Sequence, residues 1–457
     1  MKTILFDMYH GIGHTNSSLK LAKLLKSSGY KVVYIGHEQY CSPAIKQGFD
    51  FVGHNQDIAP SMKQLELLNK RSMFFENINN LFSDSVIKEA RRNLTTFKHI
   101  VADIAPDIAI VDEEHTARYF FYKALGIPTI SIQTMPEKTP DVNIPPFTSY
   151  FCPQEDSVLS RYMVSLLWLR QRIKNCFMYR YYLFKYLGQD SLSITKRLIK
   201  ESGSSFSQLV SYKSSFKFCV KNTPLLVISA TDFDFPRHPK NNVFRIGPLK
   251  DIENTINAGS PRFESLCQKL QVLKKSEETF VIFCSLGTIT FSYLKKTICF
   301  FKKMKKVALM NAKMQFVFSV SEFFEIEQLQ PVPKNVTVFS NLPQNDFLQY
   351  CDIMITHGGM NSITECIFNE VPMLVYPLSP QWDQPGNSAR VVYHGLGLRG
   401  KIGRDSPKTI LKKINQIKGN LEGYKNNIRQ MKKKFEEKNE SIEVVNIIES
   451  IINSYAN

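Results

Sequence analysis

Apolar residues fall into two spacings along this chain. "KTILFDMY" (residues 2–9) is a short continuous apolar run, and after a Gly/His turn comes "SSLKLAKLLKSSG" (17–29), whose leucines recur at helical spacing until Ser-Gly ends the pattern. "YKVVYIG" (30–36) follows as a second run, so the chain opens as a strand, a helix and a strand. "PDIAIVD" (106–112) and "IPTISIQT" (127–134) repeat the theme around the helical stretch "EEHTARYFFYKALG". A second set begins at "TFVIFCSLGT" (279–288) and continues through "MQFVFSV", "NVTVFSN", "CDIMITHGG" and "VPMLVYP". Strands without polar alternation, separated by crossover-length segments, predict parallel sheets buried on both faces. The pattern therefore predicts an α/β protein of two Rossmann-like halves. The Pro- and Asn-rich passage 230–249 reads as a linker with a short strand leading into the second half, with the halves set at 1–237 and 238–457. The tail "NIRQMKKKFEEKNESIEVVNIIESIINS" is helical by pattern.

Composition narrows the class. At 457 residues the chain exceeds one ordinary core, and 43% hydrophobic with 12% aromatic content marks it as globular. Nine cysteines are scattered without a CxxC pair or zinc-type spacing. No apolar stretch is long enough for a membrane span. A cytoplasmic protein with reduced thiols and no structural metal is the expectation. The net charge of +17 is spread over many segments with no nucleic-acid-binding motif beside it, which leaves anionic small molecules or an anionic membrane surface as counterparts.

The chemistry concentrates in "HGGMNSITE" (357–365), directly after an apolar run. A strand ending in a glycine turn that opens into a helix aims free N–H groups and the positive end of the helix dipole at one point, which suits a phosphate. Asp232-Phe233-Asp234 has the D-x-D spacing used for divalent cations, but it lies in the linker before Pro236 and no other ligand cluster supports a metal. The run from "NLPQNDFLQYCDIMITHGGMNSITECIFNEVPMLVYPL" through "DQPGNSARVVYHGLGL" resembles the donor-binding signature of family 1 glycosyltransferases, which include UDP-glycosyltransferases and macrolide glycosyltransferases. Weaker resemblance covers "GHTNSSLKLAKLLKSSGYKVVYI", the linker and "VIFCSLGT".

The resemblance implies the GT-B architecture, two facing Rossmann-like domains with the last helix crossing back to the first. It implies that His357, Gly358, Gly359, Asn361 and Ser362 meet the donor diphosphate, with Ser285 and Thr288 as the opposite wall. Glu365 would accept from the ribose, Gln344 would read the base, and Asp383 with Gln384 would hold the sugar hydroxyls. His357 and the helix N-terminus would supply the positive potential, so no cofactor and no metal are expected beyond the co-substrate, a UDP-sugar or a dTDP-sugar. One departure stands out: where many relatives place a base-stacking Trp, this chain has Asn341.

Sugar transfer to a hydroxyl needs a base with a pKa near seven. The turn "YHGIGHTN" offers His10 and His14, and the resemblance maps the family's base onto His14, with Ser17 in place of the usual Pro and a less rigid loop as the consequence. A carboxylate normally orients such a base. Asp112, ending the strand "PDIAIV", occupies the matching place, and Glu113 and Glu114 remain open in that role. The segment 161–187 interleaves Arg and Lys with Trp168, Tyr182 and other aromatics. It reads as an acceptor pocket lined by Trp168 and Tyr182, as an amphipathic helix on anionic lipid at the inner face of the membrane, or as a buried helix hairpin of the first half with basic ends. The expectation is an inverting hexosyltransferase acting on a hydrophobic or aromatic small molecule. Its rivals are a membrane-associated glycolipid glycosyltransferase and a non-catalytic nucleotide-sugar-binding protein.

Overall fold

A computed structural model describes residues 1–456 except 55–56, 59–83, 212–218, 250–259, 276–278, 288–292, 322–323 and 438–440. The first half is built on β1 (Thr3–Asp7), β2 (Lys31–Gly36), β3 (Asp50–Gly53), β4 (Ile108–Asp112) and β5 (Thr129–Gln133). A small antiparallel pair, β6 (Val210–Ser211) and β7 (Cys219–Val220), stands apart from it. β8 (Leu225–Ala230) and β9 (Val243–Gly247) complete a seven-stranded parallel sheet in the order β3-β2-β1-β4-β5-β8-β9. The second half carries β10 (Phe280–Ser285), β11 (Met314–Ser319), β12 (Val336–Phe339), β13 (Ile353–Thr356), β14 (Met373–Val375) and β15 (Gly397–Arg399). These form a six-stranded parallel sheet, β12-β11-β10-β13-β14-β15.

The apolar runs become strands because both faces of each sheet are covered. In β1, Ile4 and Phe6 pack into one layer while Leu5 enters the other, and β10 splits Val281 and Phe283 from Ile282 and Cys284 in the same way. Each such buried side chain is worth about 1.5–3 kcal/mol of transfer free energy. Alternation of polarity disappears since neither face meets water.

Two features concern the boundary between halves. β9, which the expected division at 237/238 assigns to the second half, pairs with β8, so the chain leaves the first sheet only after Gly247. The helix Ser441–Ala456 returns to the first half, where Val444, Ile448, Ile451 and Ile452 join the layer containing Ile4 and Phe6. The expected crossing back is present.

Strand order locates the crevices. In the first sheet the order reverses between β1 and β4, and in the second between β10 and β13. At such a reversal the crossover helices leave in opposite directions and open a gap beyond the carboxyl ends of the strands. Asp7 and Asp112 end one pair of strands, Ser285 and Thr356 the other.

Candidate active site

The first half supplies titratable groups. After β1 the chain turns through Met8–Gly11 into the helix Ile12–Ser27, whose N-cap Gly11 offers no side-chain cap, and His14 sits in its first turn. His14 Nδ1 lies 2.8 Å from Asp112 Oδ2, with Thr134 Oγ1 at 3.3 Å. Asp112 is buried, and its Oδ1 accepts from the Glu114 backbone N–H at 3.0 Å. The carboxylate is thus fixed from behind and holds the Nδ1 proton, which leaves His14 Nε2 as the basic atom. Burial alone pulls the His14 pKa down, but the Asp112 charge and hydrogen bond outweigh it and raise it to about 9. For Asp112 the balance runs the other way: burial raises its pKa, and His14 brings it below the ordinary carboxylate value.

The neighbours have other partners. Glu113 and Glu114 lie 3.3 and 3.1 Å from the buried Lys138 ammonium. Those contacts pair them with a cation, and it is Asp112 that meets His14. His10 faces Asp57 at 3.4 Å and stacks on Tyr40, and burial drives its pKa down to about 3. Beneath the turn, Asp7 accepts from Arg118 at 3.1 Å and from the Tyr122 hydroxyl at 2.8 Å, with His115 Nδ1 at 3.1 Å. This buried network ties β1 to the segment after β4. The sequence reading passed over it, although "FD" ending β1 and "VD" ending β4 were parallel signals.

The second half supplies mainly neutral donors around two glycine turns. β10 ends at Ser285 and turns through Gly287 (φ +75°), and β13 ends before His357-Gly358-Gly359, where Gly358 has φ +89°. Both positive angles favour glycine. A Cβ on Gly287 would stand 2.4 Å from His357 Cε1, and one on Gly359 would stand 2.7 Å from Nε2, so the imidazole fits only between bare backbone. Burial lowers the His357 pKa to about 4, and its buried Nδ1 has no hydrogen-bond partner among the described residues. His357 is therefore neutral. The expected positive potential comes from the N-terminus of the helix Met360–Phe368 and its backbone N–H groups, not from an imidazolium.

Other expected donor residues gather beside it. Gln344 Nε2 donates to Ser362 Oγ at 3.0 Å and to Glu365 Oε2 at 2.5 Å. Asp383 Oδ2 accepts from Asn387 Nδ2 at 2.7 Å, and that amide also reaches the Gly358 carbonyl at 2.9 Å. Burial raises the Asp383 pKa to about 6; Asn387 and the charge of His14 oppose the rise, and Glu114 reinforces it. Gln384 Oε1 caps the Leu378 and Ser379 N–H groups. Asn341 is exposed after β12. Thr288 lies outside the described residues.

The two crevices face one another. Asn361 donates to the Gly13 carbonyl at 3.3 Å and accepts from Ser17 Oγ at 2.9 Å. Ser17 lies within the helix and also donates to the Gly13 carbonyl at 2.8 Å, so this position braces the turn instead of loosening it.

The model of the UDP-glucoronosyl and UDP-glucosyl transferase family matches residues 56–439. The chain belongs to this family. It is 28% identical over 311 residues to UDP-glucuronosyltransferase 3A1 of Xenopus laevis, covering 67% of this chain and 54% of that one. It is 24% identical over 391 residues to the NDP-glycosyltransferase YjiC of Bacillus subtilis, covering 84% and 81%. Among solved structures, the glycotransferase of kitacinnamycin superposes with a TM-score of 0.67 at 17% identity over 98% of both chains, which establishes the shared GT-B fold.

One expectation for this family fold changes on contact with the structure. Trp168 is buried, and its indole N–H donates to the Ile144 carbonyl at 2.8 Å, while Tyr182 is half-buried against Tyr186. Trp168 packs the helix Val158–Lys185 onto the segment beneath it and is not free to grip an acceptor. Asp234 of the D-x-D accepts from Arg390 at 2.6 Å and from Arg237 at 3.1 Å, a buried link between the halves. Among the described residues no three His, Cys, Asp or Glu side chains are grouped to hold a metal ion, and no helix is long and apolar enough to cross a membrane.

Proposed function

We propose that the chain is an inverting, metal-independent glycosyltransferase that moves a hexose, glucose as the first candidate, from a nucleotide diphosphate sugar to a hydroxyl of a hydrophobic or aromatic acceptor. The observation that carries this reading is the 2.8 Å contact between His14 Nδ1 and Asp112 Oδ2, at the switch point opposite the glycine turns. With Nδ1 committed to the carboxylate, Nε2 takes the acceptor proton while the acceptor oxygen bonds to the anomeric carbon. The bond from that carbon to the diphosphate breaks on the opposite face, and the imidazolium formed is held by Asp112. An α-linked donor then yields a β-glycoside.

On the donor side, the unpartnered Nδ1 of His357, the N–H groups after Gly358 and the helix N-terminus support a diphosphate subsite that needs no cation. We read the Gln344–Glu365–Ser362 cluster as the partner of ribose and base, and Asp383 as that of the sugar hydroxyls; the mutual hydrogen bonds that gather these side chains support the reading. Asn341 removes the stacking platform, so UDP is the first donor to test and dTDP the second.

The test is incubation with UDP-glucose or dTDP-glucose and a panel of phenols, polyenes and lipid alcohols, with and without EDTA. Product mass and the anomeric coupling constant are then read. A β-linked product formed equally in EDTA supports the proposal. An α-linked product, a strict Mg²⁺ requirement, or donor binding with no transfer would overturn it.

A further inference from the structure

The helix Val158–Lys185 turns a mixed face inward and a second, largely apolar line outward. Its inner line, Ser160, Val164 and Trp168, is buried, and half-buried Gln171, Asn175 and Tyr182 continue it at helical spacing. The line opposite holds Leu159 (71% exposed), Leu166 (40%), Leu169 (53%), Ile173 (62%), Phe177 (67%) and Phe184 (77%). These recur at intervals of three, four or seven residues, so they lie along one stripe of the helix, which Arg170 and Arg180 interrupt. From Leu159 to Phe184 the stripe runs about 38 Å at the helical rise. Apolar residues scattered singly on a surface need no explanation, but six exposed large apolar side chains aligned along one helix face mark a place that meets something other than water.

Charge identifies what it meets. Arg161 and Arg172 flank the stripe on one side and Lys174 on the other, while Arg170 and Arg180 fall within it, and all five are exposed. Between Asp156 and Asp190 there is no acidic residue. Exposed Tyr162 and Tyr181 add rings with polar tips at the margins. An apolar stripe edged by Arg and Lys is complementary to the plane of an anionic lipid surface, where side chains enter the acyl boundary and cations stay with the phosphates. A second copy of this chain is a poor occupant, because its stripe would bring the same cations against these.

We infer that the outer face of this helix docks the protein on an anionic bilayer. The helix is tied to the candidate site through one intervening segment: Trp168 and Gln171 hold Ile144 and Thr148 on its inner side. The same segment seats the Phe147 carbonyl on the Gly386 N–H, next to Asp383 and Gln384. Resting on the proposed transfer reaction, this placement makes the acceptor class a lipid-soluble alcohol taken from the bilayer.

The test uses the full chain and a vesicle sedimentation assay, which reads docking without turnover and so can fail independently of the proposed reaction. Vesicles of phosphatidylcholine alone are compared with equal parts phosphatidylcholine and phosphatidylglycerol, at low and high salt. The parent is expected to pellet only with the anionic vesicles and to be released by salt. Replacing Arg170, Arg172 and Lys174 together by Gln is expected to weaken partitioning about a hundredfold. Ile173→Ser with Phe177→Ser is expected to release the protein as well, and both variants should keep the parent's circular dichroism and melting temperature. Parent protein that stays in the supernatant with anionic vesicles, or pellets equally with neutral ones, would overturn the inference. So would a dimer in sedimentation velocity that the Ile173→Ser, Phe177→Ser variant converts to monomer.

Discussion

The crevice between β1 and β4 and the crevice between β10 and β13 have the same topology and opposite chemistry. Each lies where strand order reverses, and each has a turn containing glycine that leads from a strand to a helix. The first is crowded with ionisable side chains: Asp7, Asp112, His14, Arg118 and the Lys138 pairs with Glu113 and Glu114. The second is lined at its turns by bare backbone and a neutral His357. A site that must move a proton needs charges that set a pKa. One that must hold a diphosphate needs donors fixed before the ligand arrives, and glycine lets backbone approach where a side chain would block it. The fold provides two equivalent gaps, and on the proposed reading residue choice makes one a proton site and the other an anion site.

The largest way to break that contrast is His14→Ala. Turnover is expected to fall by about 100-fold or more, with nucleotide affinity nearly unchanged in calorimetry. A loss concentrated in donor affinity would place His14 in the wrong crevice, and a larger loss from His10→Ala would do the same for the reading of the turn.

Next comes the pH profile, which should report on the first crevice alone. A histidine whose pKa is raised to about 9 holds its proton below that value, so the neutral base appears only as pH climbs. At pH 7 roughly one ring in a hundred is then free. kcat/KM is therefore expected to rise about tenfold per pH unit through neutrality and level off near pH 9. Asp112→Asn removes the charge that raises the pKa, so its plateau should begin at lower pH and stand roughly 10- to 100-fold below the parent's. A flat parent profile between about pH 6 and 9 would contradict the assignment.

How far the sequence could be read differs between the crevices. Most of the second was visible, because its parts lie in two short stretches, Ser285–Gly287 and Gln344–Gln384, and backbone turns are local. The first required contacts between residues 98 and 111 positions apart, His14 with Asp112 and Asp7 with Arg118. Of these only the pair supported by family resemblance was anticipated. The sheet that β9 joins was illegible for a related reason: a short strand is expected in this passage, but "VFRIG" follows a Pro-rich linker and only its pairing with β8 assigns it to the first sheet. The helix 158–185 misled by composition. With apolar residues on both faces, its pattern could not say which aromatics are packed inside, so Trp168 looked like a pocket residue.

Gly287→Ala sharpens the contrast from the second crevice. Its φ of +75° and a Cβ 2.4 Å from His357 mean that the turn and the imidazole cannot both keep their places. Donor affinity is expected to drop about tenfold, since strain of this kind costs on the order of 1–3 kcal/mol. The pH profile should keep the parent's shape. A shifted profile with intact affinity would show that the two crevices do not divide the work as argued.

The smallest effect belongs to the residue that joins them. Ser17 Oγ donates to Asn361 at 2.9 Å and to the Gly13 carbonyl at 2.8 Å, so one hydroxyl braces the turn carrying His14 and touches the helix that receives the diphosphate. Ser17→Ala leaves the helix intact, because alanine is the better helix former, and removes only these bonds. A partly buried neutral hydrogen bond contributes about 0.5–1.5 kcal/mol, which corresponds to a loss of roughly two- to tenfold. The expected loss is in kcat/KM, with donor affinity changed little, because Asn361 can still reach the Gly13 carbonyl. The double variant Ser17→Ala, Asn361→Ala tests the coupling. If Ser17 acts through Asn361, the two losses together fall short of their product. Fully multiplicative losses would mean that the crevices are held in register by other links, with the buried Arg390–Asp234 pair the next to examine.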